Sequence, residues 1–107
     1  MIDELTFRKL ADTSLEQLQR ALEKAADTYE FEVDRNEGAL TVEFEDPPAR
    51  FVVSPNAPVK QIWVSAHMKS YKLDWDPERR TFVTGGKTLV EIIDDAVGKQ
   101  LGTKVEL

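Results

Sequence analysis

Apolar residues in the N-terminal part of the chain recur at gaps of three and four. Leu15, Leu18, Leu22, Ala25 and Tyr29 form the series, and Phe7 and Ala11 extend it backward. The spacing predicts an amphipathic helix over residues 4–30, with Asp3 and Glu4 at the positive end of its dipole. At Phe31 the period changes to two. Phe31, Val33 and Arg35 alternate with Glu32, Asp34 and Asn36, and Glu37-Gly38 then turns the chain. Leu40, Val42 and Phe44 alternate with Thr41, Glu43 and Glu45 until Asp46-Pro47-Pro48 breaks the strand. Further strands are predicted at 50–54, 60–66, 71–75 and 81–84, with Pro55-Asn56-Ala57-Pro58 as a rigid connection.

After Gly85-Gly86 the helical period returns through Leu89, Ile92, Ile93, Ala96, Val97 and Leu101. Thr88 and Glu91 have the spacing of a capping box, and Gly102 suits a left-handed C-terminal cap. Val105 and Leu107 are expected to pack back between the helices. Short connections favour an antiparallel sheet, and two apolar helix stripes must cover one of its faces. The predicted architecture is α+β: a two-layer sandwich with both helices on one face of a six-stranded antiparallel sheet. No linker or repeat divides residues 1–107, which read as a single domain.

Composition narrows the function classes. The 107 residues carry 20 Asp and Glu against 14 Lys and Arg, a formal net charge of −6, and no cysteine. Disulfides, thiolate metal sites and a cysteine nucleophile are excluded. An acidic surface repels phosphate backbones and anionic lipid, so nucleic acid and membrane are not expected partners. Cations and basic protein surfaces are. With no apolar run near the ~20 residues of a membrane span and no signal-peptide pattern, the expectation is a complete soluble protein of a reducing compartment.

Catalytic motifs are sparse. His67 is the only histidine and no spacing gives it a partner, which reads as a surface loop residue. Gly86-Lys87-Thr88 resembles the end of a phosphate loop, but that motif needs glycine where Thr81 stands. The acidic residues say more. On a helical wheel Asp12, Glu16, Glu23, Asp27 and Glu30 share a sector of about 60°, beside the apolar stripe. Glu32 and Asp34 continue the row past the helix, with Glu37 in the turn. Such a row is either a solvated face or a site for hard cations such as Fe, Mn, Mg or Ca. Trp63 is the other anomaly. Ile62, Val64 and Ala66 claim the core face of their strand, which leaves Trp63 outside with Gln61 and Ser65. A large aromatic there is an interface anchor unless long neighbours cover it. Trp75, sharing a face with Tyr71 and Leu73, reads as packing.

These residues carry a resemblance to the frataxin family in its bacterial, short form. Pro58-Val59-Lys60-Gln61-Ile62-Trp63-Val64-Ser65 is close to the family's P-x-K-Q-I-W-[LV]-[SA] segment. Phe7-Arg8-Lys9-Leu10-Ala11-Asp12 resembles the opening helix, Gly38-Ala39-Leu40-Thr41-Val42 the second strand, and Tyr71-Lys72-Leu73-Asp74-Trp75 the fifth. The resemblance implies a frataxin-like fold and a role in iron–sulfur cluster assembly. It implies weak binding of Fe²⁺ or Fe³⁺ by carboxylates, here Glu23, Asp27, Glu30, Glu32 and Asp34, to which the helical row adds Glu16 as an expected metal ligand. It implies docking on the cysteine desulfurase–scaffold complex through Asn56, Gln61 and Trp63, with Lys72 near a basic position of the sheet face. Where many members carry near-continuous acid at the end of the first helix, this chain has Gln19, Arg20, Lys24, Ala26 and Thr28.

The expected function is therefore an iron-binding regulator or iron donor in cluster assembly, a cytoplasmic monomer and not an enzyme. The alternatives are a metal-independent acidic adaptor of the desulfurase, and oxidation of Fe²⁺ at the acidic row. The last requires closely paired carboxylates.

Overall fold

The computed structural model describes residues 2–36, 38–45 and 47–107; Glu37 and Asp46, given turn roles above, lie outside the described residues. Helix α1 spans Glu4–Ala26. Asp3 opens it, its carboxylate accepting the Thr6 amide at 2.7 Å and satisfying one of the helix's unpaired N–H groups. The helix ends four residues before the predicted boundary. The Asp27 amide donates to the Lys24 carbonyl, those of Thr28 and Tyr29 to that of Ala25, and the chain turns out. Tyr29 continues the apolar spacing because it packs on the same core after the backbone has left the helix.

The strands are β1 (Glu32–Asn36), β2 (Ala39–Glu45), β3 (Pro48–Asn56), β4 (Gln61–Ala66), β5 (Lys69–Asp76), β6 (Thr81–Thr84) and β7 (Lys87–Thr88), followed by α2 (Leu89–Leu101). They form one antiparallel sheet in chain order, β1 to β7. The sheet thus has seven strands, the extra one being the two-residue β7, too short to show a period. Pro48 does not end a strand but begins β3, where a missing N–H costs the ladder least. Between β3 and β4 a single 3-10 turn at Ala57–Val59 replaces the predicted stiff connection, and Lys60 leaves it in the left-handed region at φ 55°.

Both helices cover one face. Phe7, Leu15, Leu18 and Leu22 of α1 and Ile93 and Val97 of α2 are sealed against Val42, Phe51, Val53, Ile62, Leu73 and Phe82 of the sheet. Each such side chain contributes about 1.5–3 kcal/mol by leaving water. Phe7 meets Phe82 edge-on, centroids 5.7 Å apart. Thr88 and Glu91 form the predicted capping box and Gly102 the left-handed cap, at φ 70°. Val105 of the C-terminal tail is buried, and the Leu107 amide donates to Asp94 on α2. Among the described residues no helix covers the other face of the sheet.

Candidate functional site

Alternation along β4 puts Ile62, Val64 and Ala66 in the core and Gln61, Trp63 and Ser65 on the open face. Trp63 is 38 % exposed. Two contacts hold it, one of them braced by a third residue. Its Nε1 donates to Gln61 Oε1 at 3.0 Å, and Gln61 Nε2 in turn donates to Asp74 Oδ1 at 3.1 Å. Lys72, its cross-strand partner on β5, lays its ammonium 5.0 Å from the indole centroid. Asn56 pairs with Gln61 across β3 and β4, so all four residues expected at this face share it. The indole is neither buried nor free to swing; it is a flat apolar plate with a fixed polar edge. Trp75, by contrast, is half-buried against Phe82, ring centroids 5.2 Å apart.

The acidic row divides into three parts. On α1, Glu16 is bound by Arg20 at 2.6 Å, and Asp12 by Arg35, whose side chain is only 21 % exposed on β1. Glu23 accepts a long hydrogen bond from Gln19, at 3.4 Å. Asp27 caps the helix and Glu30 stands in the turn beyond it, so the row is not one helical stripe as the wheel suggested. Glu32 and Asp34 point outward from β1 as expected. Strand pairing adds a residue the sequence reading passed over: Glu43 of β2 lies directly opposite Glu32 on the same exposed face, flanked by Arg50 of β3. Two like charges in a cross-strand pair repel, a cost that a cation between them would relieve. Among the described residues no three acidic or histidine side chains converge enough to hold one metal ion.

His67 is not the unpartnered loop residue expected. Its ring is half-buried edge-on against Phe51, and its Nε2 lies 2.9 Å from Gln100 Oε1 on α2. Gln100 Nε2 donates to the Pro47 carbonyl, which fixes the amide and makes His67 Nε2 the donor. Neither partner is near in sequence, so only the folded chain could reveal them.

A sequence model of the frataxin-like domain matches residues 1–103. The chain belongs to the frataxin-like family. Curated relatives named iron–sulfur cluster assembly protein CyaY include that of Tolumonas auensis, 32% identical over 80% of this chain and 84% of the relative. That of Janthinobacterium is 32% identical over 97% and 95%, and that of Cupriavidus metallidurans 29% over 99% and 96%. Among solved structures, a frataxin from Psychromonas ingrahamii superposes with a TM-score of 0.76 at 20% identity, covering 98% of this chain and 97% of that one. The frataxin-like fold is thus shared end to end. Among the described residues no helix is long and apolar enough to cross a membrane.

Proposed function

We propose that this frataxin-like chain serves iron–sulfur cluster assembly as a cytoplasmic, monomeric regulator. In this reading it docks on the cysteine desulfurase–scaffold complex with its open sheet face and carries Fe²⁺ weakly on its acidic edge. The observation that supports it most is Trp63: a constrained, part-exposed indole on a rigid strand, with Lys72, Gln61 and Asn56 around it. Anchors of this kind dominate binding energy when a partner seals them from water. The acidic edge (Glu16, Glu23, Asp27, Glu30, Glu32 and Asp34, now with Glu43) supplies hard oxygen ligands for iron as cargo. It also supplies the negative field that steers a basic partner surface into place.

A second reading, a metal-independent adaptor, is favoured by one observation: Asp12 and Glu16 are already neutralised by arginines. We assign the chain no catalytic step, since oxidation of Fe²⁺ needs carboxylates paired in fixed geometry. A residue-resolved NMR titration tests both halves. Fe²⁺ should shift amides from Glu23 through Asp34 and at Glu43, weakly and with strong salt dependence. The desulfurase should then broaden signals of β4 and β5. A metal response centred on His67 would overturn the iron half, and an unaffected Trp63 would overturn the docking half. A desulfurase assay with and without Fe²⁺ separates the regulator from the adaptor.

A further inference from the structure

A second concentration of charge, opposite in sign, lies at the far edge of the sheet from β1. Lys69, Lys87 and Lys99 line a cavity of about 200 Å³ between the β4–β5 turn, β7 and α2, with the His67 ring and Tyr71 in its wall. Lys69 and Tyr71 stand on the same side of β5 as buried Leu73, so they face the helix layer rather than the docking surface. Lys99 follows Asp95 by one turn of α2, above a floor that includes Ile92 and Ala96.

Asp95 is the single carboxylate in the lining, and Lys87 holds it, Nζ to Oδ2 at 2.8 Å. That hydrogen bond first, and the Asp95 charge second, raise the Lys87 pKa above the ordinary lysine value. Among the described residues Lys69 and Lys99 form no ion pair. A concave site with two uncompensated ammonium groups is unexpected on a chain of net charge −6, because like charges brought together cost stability unless an anion offsets them.

We propose that this cavity binds a phosphoryl dianion, either free phosphate or the head of a small phosphate ester. Two unmatched positive charges balance the −1.5 to −2 that a phosphoryl group carries near neutral pH, roughly charge for charge. The donors select the anion's shape. No arginine lines the cavity, so the planar fork that reads carboxylates is missing. Lysines lining the cavity from three elements, with Tyr71 in its wall, offer point charges and a hydroxyl that suit tetrahedrally disposed oxygens. The site owes nothing to the Gly86-Lys87-Thr88 backbone, which forms a turn and the short strand β7 rather than a phosphate cradle.

The test uses the whole chain, stripped of metal on a chelating resin and titrated with sodium phosphate while sodium chloride holds ionic strength constant. Saturable amide shifts at His67, Lys69, Lys87 and Lys99 are expected. The Lys69→Gln/Lys99→Gln double variant should fold with a melting temperature no lower than the parent's and bind at least about tenfold more weakly, tenfold being 1.4 kcal/mol. Lys87→Gln provides an independent second variant. Glycerol 3-phosphate acting at the same amides more tightly than phosphate supports an ester, and the reverse supports the free anion. Equal shifts with chloride alone, a double variant that binds phosphate like the parent, or tighter binding of citrate at these amides would each overturn the proposal.

Discussion

Trp63 is held in place by Gln61, Lys72 and its strand, yet it buries little against the core. Trp63→Ala should therefore cost far less than the ~3–5 kcal/mol of a truncated core aromatic. If the indole anchors the desulfurase complex, the same change should weaken docking by about 2 kcal/mol. Chemical denaturation and a pull-down on one variant measure both; a large stability loss with proportionate loss of binding would make Trp63 structural. Met68 offers a second single-residue test. It is fully exposed in the two-residue β4–β5 loop, where His67 and Met68 sit at φ 50° and 63°. Hairpin loops of this geometry favour glycine, which adopts positive φ without a Cβ clash. Met68→Gly should raise stability by up to about 1 kcal/mol in denaturant titration, and a loss would mean that the methionine side chain packs in solution.

Helix termini set a pH dependence. The Thr6 amide and hydroxyl hold the Asp3 carboxyl below the usual range, and those of Thr88 do the same for Glu91. Both groups bind their proton less readily folded than unfolded. They therefore stabilise the helices above the ordinary carboxylate range, and that stability is lost as pH falls through and below it. Asparagine still caps and glutamine still completes a capping box. Asp3→Asn/Glu91→Gln should therefore keep the fold while flattening the acid limb of a melting-temperature profile; an unchanged slope would place the acid sensitivity elsewhere. Local chemistry of this kind was legible in advance, as Thr88, Glu91 and Gly102 and the phase of Ile62 and Val64 attest. The end of α1 was not, because Tyr29 keeps the helix's apolar spacing after the backbone turns. Nor were Asp12 with Arg35, Glu32 beside Glu43, or His67 with Gln100, since each pairing depends on strand register or on how α2 docks.

Across the whole molecule acids outnumber bases, a net charge of −6, with Glu32, Asp34 and Glu43 exposed at the β1 edge of the sheet and the lysine-lined cavity toward the other. Raising salt should accordingly slow association with a basic partner far more than it speeds dissociation, as stopped-flow rates would show. The order of the strands has a consequence in time as well as space. Because every strand pairs with its neighbour in sequence, the meander closes only short loops as it zips. The Phe7–Phe82 contact, by contrast, joins the first helix to the sixth strand across most of the chain. Closing that loop is entropically the dearer step, so the contact should form after the rate-limiting barrier. Phe82→Leu should then leave the refolding rate nearly unchanged and place its destabilisation in faster unfolding, a chevron bent on one arm only. A frataxin-like chain built this way is expected to assemble its sheet first and lock its N-terminal helix down last.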